Sequence, residues 1–164
     1  MIIEATALLG LPVATSQAVE LGRVCGWAFD GRRARVAALK VNRKGPDALL
    51  PWMEISHIDR QVVVSDLPVI PKESDALVQL ARSTGAIIGV RAKTEGGRGL
   101  GRINDLFLEA ETGLIARFYI RNFLQDRLIP RQFLVAITPK DIIFKYVVET
   151  PVFDTVAAEA PAGS

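Results

Sequence analysis

One cysteine and one histidine in 164 residues set the first limits on what this chain can do. A single thiol, Cys25, cannot build an internal disulfide framework or hold zinc alone. Cys25 lies in an apolar strand pattern, so it is expected to be buried and inert, as suits a reducing compartment. The single histidine, His57, would have to serve any metal site or nucleophile triad, and no HxH or HxxxH spacing exists. No run approaches the about 20 apolar residues that span a bilayer. Met1–Leu11 lacks a basic n-region and a long apolar stretch, so no signal peptide is read there. The expectation is a soluble, cytoplasmic protein with no membrane span, no catalytic residues, no metal and no cofactor.

Strong charge of one sign is also missing. The net charge is +2 with both signs well mixed, unlike the basic excess of a general nucleic-acid binder. Glu95-Gly96-Gly97-Arg98-Gly99 is glycine-rich, but no Lys-Ser/Thr follows and a strand comes next. Phosphate-cradling loops work at a helix N-terminus, so this segment reads as a hairpin loop.

What the chain does have is an internal repeat. Leu21-Gly22-Arg23-Val24 recurs as Leu100-Gly101-Arg102-Ile103, an offset of 79. At the same offset Leu8-Leu9-Gly10 matches Ile87-Ile88-Gly89, Ala37–Val41 matches Ala116–Ile120, and Leu49-Leu50-Pro51 matches Leu128-Ile129-Pro130. Ile55 and Ile58 match Leu134 and Ile137, and Val63-Val64 matches Ile142-Ile143, with no gap. His57 aligns with Ala136, so its position does not demand an imidazole.

Each copy reads as β-structure, because short apolar runs are broken by Gly, Pro, Asn and Asp about every ten residues. Phe118 and Ile120 alternate with Arg117, Tyr119 and Arg121, the period of a half-buried strand. In the preceding strand Val24, Trp27 and Phe29 break strict alternation, as do Ile103, Leu106 and Leu108. This predicts a β-bulge near Cys25-Gly26 and near Asn104-Asp105. Trp27 aligns with Leu106 and is expected in the core. Trp52 aligns with Arg131 and is expected to be at least partly exposed.

The predicted organisation is a first domain over 1–67, a linker over 68–85, a second domain over 86–154 and a disordered tail over 155–164. Within the linker Glu73–Arg82 reads as a short helix with Ser74 as a possible N-cap.

The ordered set of motifs resembles the PRC-barrel family, to which a cytoplasmic part of the photosynthetic reaction-centre H subunit and the C-terminal domain of a ribosome-maturation protein belong. The first copy carries it as Leu9-Gly10-Leu11-Pro12-Val13, Leu21-Gly22-Arg23-Val24, Val36–Val41, Leu49-Leu50-Pro51-Trp52 and Val62-Val63-Val64. The second carries Leu100-Gly101-Arg102-Ile103, Glu109 through Gly113 and Leu128-Ile129-Pro130. The resemblance implies an all-β protein of two tandem small barrels, each a docking or assembly module without a shared catalytic constellation.

The candidate interaction surface comprises Arg117, Tyr119 and Arg121 on one strand, Arg32, Arg33 and Arg35 before the third strand of the first copy, and the divergent pair Trp52 and Arg131. Outward Arg and Tyr on rigid strands suit a protein interface. The sequence reading is a non-enzymatic adaptor for a protein partner, with a homodimer among the options. RNA or a ribosome is the alternative, less favoured because of the low net charge.

Overall fold

The computed structural model describes residues 1–65, 76 and 87–145; the helix expected over Glu73–Arg82 and the tail expected over 155–164 fall outside the described residues apart from Ala76. The described chain is all-β. After the short strand β1 (Ile2–Glu4) come β2 (Pro12–Thr15), β3 (Glu20–Asp30), β4 (Arg35–Asn42), β5 (Ala48–Pro51), β6 (Ile55–Ile58) and β7 (Val62–Val64). The second set is β8 (Arg91–Thr94), β9 (Gly99–Glu109), β10 (Ile115–Arg121), β11 (Arg127–Pro130), β12 (Leu134–Ile137) and β13 (Asp141–Phe144).

The two sets have the same strand order. One sheet runs β5-β4-β3-β2-β7-β6 and the other β11-β10-β9-β8-β13-β12. In each, four successive strands form a meander, and the last strand pairs in parallel with the first of the four, β7 on β2 and β13 on β8. Each order is an open path, and no strand pair among the described residues closes it into the expected barrel. The ends of each path are consecutive in sequence, but a 3-10 turn separates them: Trp52–Glu54 in one, Arg131–Phe133 in the other. Pro51 and Pro130 end β5 and β11, where their missing N–H costs no ladder bond.

By its contacts the chain divides into two compact units, Met1–Gly85 with Leu108–Ile115, and Ala86–Phe107 with Ala116–Ser164. The core of the first is built on Val13, Val24, Leu39, Val41, Val62 and Val64. In the second, Ala92, Ile103, Leu106, Ile120 and Ile142 surround Phe118 and Phe144, whose rings meet edge to face with centroids 5.1 Å apart.

Duplication extends to single hydrogen bonds. Arg23 Nη1 donates to the Gly10 carbonyl and Arg102 Nη1 to the Gly89 carbonyl, both at 2.9 Å. Gly10 and Gly89 have φ of +84° and +88°. A Cβ on Gly22 would strike the Asn42 carbonyl oxygen, and one on Gly101 the Arg121 carbonyl oxygen, so this close approach of strands requires glycine in both copies. Bulges recur as well, at Ser56 in β6 and Val135 in β12.

The single-offset reading needs one correction. Ile55 pairs with Val64 while Leu134 pairs with Phe144, so the last strand matches at an offset of 80. Three residues, Asp59–Gln61, join β6 to β7, and four, Thr138–Lys140 with Asp141, lie between Ile137 and Ile142. Val62 and Val64 therefore correspond to Ile142 and Phe144, and all four are buried.

The expected bulge is present in β3, where the register with β4 shifts between Val24 and Gly26. It turns Cys25 outward, so the thiol is exposed and not buried as its apolar neighbours suggested. At the matching place in β9 the consecutive residues Asp105 and Leu106 are both buried, which breaks the alternation there too. Trp27, expected in the core, is only half-buried although Leu106 is fully buried. A further register shift opposite Ala28–Phe29 brings Ala38 inward beside Leu39.

Candidate interaction surface

Four of the candidate residues lie in the second unit. β10 alternates as its sequence predicts: Phe118 and Ile120 are buried, Arg117 and Tyr119 are half-buried on the other face, and Arg121 is exposed. Tyr119 stands opposite Leu128 and Arg117 opposite Pro130, and Arg131 follows Pro130 at the start of the 3-10 turn.

Asp126, just before β11, organises this face. The Tyr119 hydroxyl donates to Asp126 Oδ2 at 2.6 Å, and Arg121 Nε lies 3.9 Å from Oδ1. The hydrogen bond to this carboxylate, with partial burial, raises the Tyr119 pKa above its ordinary value, since ionising the phenol would set two anions side by side. Tyr119 is therefore a fixed, neutral donor. Nothing in the motif pattern marked Asp126; extending the β10–β11 register by one pair beyond Ile120 and Arg127 sets it opposite Arg121, a favourable cross-strand pair.

The other four lie in the first unit. Arg32, Arg33 and Arg35 wrap around Asp30 at the tip of the β3–β4 hairpin. The Arg32 and Arg33 amides donate to Asp30 Oδ1 at 3.1 and 3.2 Å, and the Arg33 and Arg35 guanidinium groups lie 3.7 and 4.0 Å from Oδ2. Arg32 and Arg33 remain exposed, while Arg35 is half-buried.

Trp52 does not belong on an exposed surface. It is 5% exposed, and its indole Nε1 donates to the Ala110 carbonyl at 3.1 Å. The reason is the segment Leu108–Ile115, which is part of the first unit. There the Val36 amide donates to the Gly113 carbonyl and the Ile115 amide to the Ala34 carbonyl, both at 2.9 Å. Gly113 lies so close that a Cβ on it would meet the Trp52 ring.

His57 is exposed on β6. Among the described residues no group of three or more His, Cys, Asp or Glu is placed to hold a metal ion, and no helix is long and apolar enough to cross a membrane. The chain matches no family model and no curated protein.

Proposed function

We propose that the chain is a non-enzymatic docking or assembly adaptor built from two PRC-like modules, and that the β10 face of the second module binds a protein partner. The observation that carries this reading is the Tyr119–Asp126–Arg121 constellation. It presents an aromatic ring and a guanidinium on one strand and a carboxylate at the end of the adjoining loop, with Arg117 on the same strand face. Tyr and Arg are the residue types that dominate binding energy at protein interfaces. Their order before binding lowers the entropy lost on association. A carboxylate bonded to Tyr119 and paired with Arg121 favours a mixed-charge protein surface over a phosphate backbone, which Asp126 would repel. The adaptor is read as cytoplasmic, with no cofactor and no catalytic residue.

Affinity capture from the native cell, run in parallel with wild type and Arg117→Ala/Tyr119→Ala, tests it. A partner held by the wild type and lost by the variant is expected. Recovery of the bait alone would overturn the reading. So would capture of RNA whose binding falls steeply as salt rises.

A further inference from the structure

One rung of the second sheet carries a charge on every strand it crosses. Asp141 on β13 pairs with Arg91 on β8, and Arg91 with Arg102 on β9. In the first copy Arg23 pairs with Asn42. Gly22 lies against the Asn42 carbonyl as Gly101 lies against the Arg121 carbonyl, so Arg102 stands beside Arg121 on β10. Asp126 closes the rung against Arg121. Ala92, Ile103, Ile120 and Ile142 are buried, so the adjacent rung residues face outward. The rung thus runs carboxylate, three guanidiniums, carboxylate. The Arg91 and Arg121 side chains are 62% and 63% exposed, and each meets its aspartate through Nε. Arg102 is exposed between them, with a cation on either side. The matching rung of the first copy, Gln61, Pro12, Arg23, Asn42 and Asp47, holds one cation and one carboxylate.

Beyond Lys145 the sequence takes one sign of charge. Residues 146–164 contain Glu149, Asp154 and Glu159 and no lysine or arginine. The stretch that follows the first copy, 66–85, mixes Asp66, Glu73 and Asp75 with Lys72 and Arg82. The purely acidic stretch therefore follows the module with the cationic rung, and the mixed one follows the module without it.

We propose that the acidic stretch 146–164 folds back over this rung and sets the Asp154 carboxylate at Arg102. Distance fixes the sign of the interaction. Strands lie about 4.8 Å apart, so a carboxylate at Arg102 has a guanidinium about one spacing away on each side. Asp141 and Asp126 lie about two spacings away, near 10 Å, which is about the Debye length in 0.1 M salt. The attraction is therefore local and the repulsion largely screened. Reach is sufficient. Nine residues separate Lys145 from Asp154 and span up to about 30 Å when extended. The way back along β13 to the rung and across two strands is about 20 Å. Attachment to the same chain gives the acidic stretch a high effective concentration at the rung. The contact does not depend on the adaptor reading. Its regulatory sense does rest on that reading: a stretch lying at Arg121 shields the β10 face from a partner.

Paramagnetic broadening in the full chain tests the contact. Cys25→Ser removes the exposed native thiol, and Ala157→Cys carries a nitroxide beside the acidic residues. Broadening of backbone amides is expected to concentrate at residues 91–93, 101–102 and 120–122. It should be lost as salt rises, and lost in Glu149→Gln/Asp154→Asn/Glu159→Gln, which leaves both sheets untouched. Even broadening over the surface, or broadening that survives the neutralised stretch, overturns the proposal. So does equal broadening of an isotope-enriched, unlabelled chain mixed with a spin-labelled one, because it assigns the stretch to a second copy. In affinity capture the neutralised variant should retain more partner than wild type. Equal retention overturns the regulatory sense, whereas capture of no partner by either chain counts against the adaptor reading and leaves the broadening to decide the contact.

Discussion

Thr15 and Thr94 make the same bond in the two copies: each side-chain oxygen accepts the amide of the residue four positions on, Val19 at 3.2 Å and Arg98 at 3.1 Å. Both threonines are buried, and each also accepts at its carbonyl from the residue three ahead, Ala18 or Gly97, at 2.9 Å. The hydroxyl holds the turn that follows β2 or β8. Thr15→Val and Thr94→Val keep the shape and remove the acceptor, so each is expected to cost about 1 kcal/mol. Serine at either position should recover most of the bond. Urea titrations of the four variants check this, and a neutral valine at both sites would show that the hydroxyls do not hold the turns.

Gly22 and Gly10 both have positive φ, at +145° and +84°, but for different reasons. A Cβ on Gly10 meets nothing within 4 Å, so Gly10→Ala should cost only the left-handed conformation, about 1–2 kcal/mol. A Cβ on Gly22 would overlap the Asn42 backbone, which cannot move without separating β3 from β4. Gly22→Ala should therefore cost more than Gly10→Ala, and Gly101→Ala should behave like it. Comparable losses for Gly10→Ala and Gly22→Ala in thermal melts would sink the distinction.

These glycines explain why the duplication was legible. Leu-Gly-Arg-apolar recurs because the strand crossing at Gly22 and Gly101 admits no side chain, and the Arg reaches the same carbonyl in both copies. The extra residue before β13 left no such mark. Val62-Val63-Val64 is apolar throughout and fits Ile142-Ile143 at either offset, yet a one-residue slip moves every side chain to the opposite face. Trp52 departs from its expected exposure because its cover, Ala110 and Gly113, comes from a distant part of the chain that alignment with Arg131 does not reveal. Cys25 departs from its expected burial because a bulge reverses the face of the residue it inserts. On the candidate surface, the placing of Arg117, Tyr119 and Arg121 follows from strand period, while Asp126 emerges only from strand pairing.

Asp141 gives the second sheet an acid-sensitive contact. Arg91 Nε donates to Oδ1 at 2.9 Å and Lys93 Nζ lies 3.4 Å from Oδ2. The Arg91 hydrogen bond, aided by both cations, lowers the Asp141 pKa below its ordinary value. A carboxylate depressed in the folded state contributes stability above its unfolded pKa, about 3.9, and loses it as pH falls through the lower folded value. Thermal melts of wild type and Asp141→Asn should thus differ most near neutrality and converge as pH drops below the carboxylate range. A gap that stays constant with pH would remove the ion pair as its cause.

The buried indole of Trp52 reports directly on the segment Leu108–Ile115. Trp27 is the only other tryptophan, so Trp27→Phe isolates the Trp52 signal. Emission from that variant should be blue-shifted, as for an indole shielded from water and bonded to the Ala110 carbonyl. Trp52→Phe keeps most of the ring and loses the N–H bond, at a cost of about 1 kcal/mol. Trp52→Ala also opens a cavity and should cost about 3–5 kcal/mol. Gly113→Ala acts from the other side, because its φ is +74° and the new Cβ would press on the Trp52 ring and the Val36 carbonyl. In the Trp27→Phe background Gly113→Ala should shift the emission to the red, since displacing Gly113 admits water to the indole. Unchanged emission with lowered stability would mean that the hairpin tip yields elsewhere and that Trp52 is shielded without it.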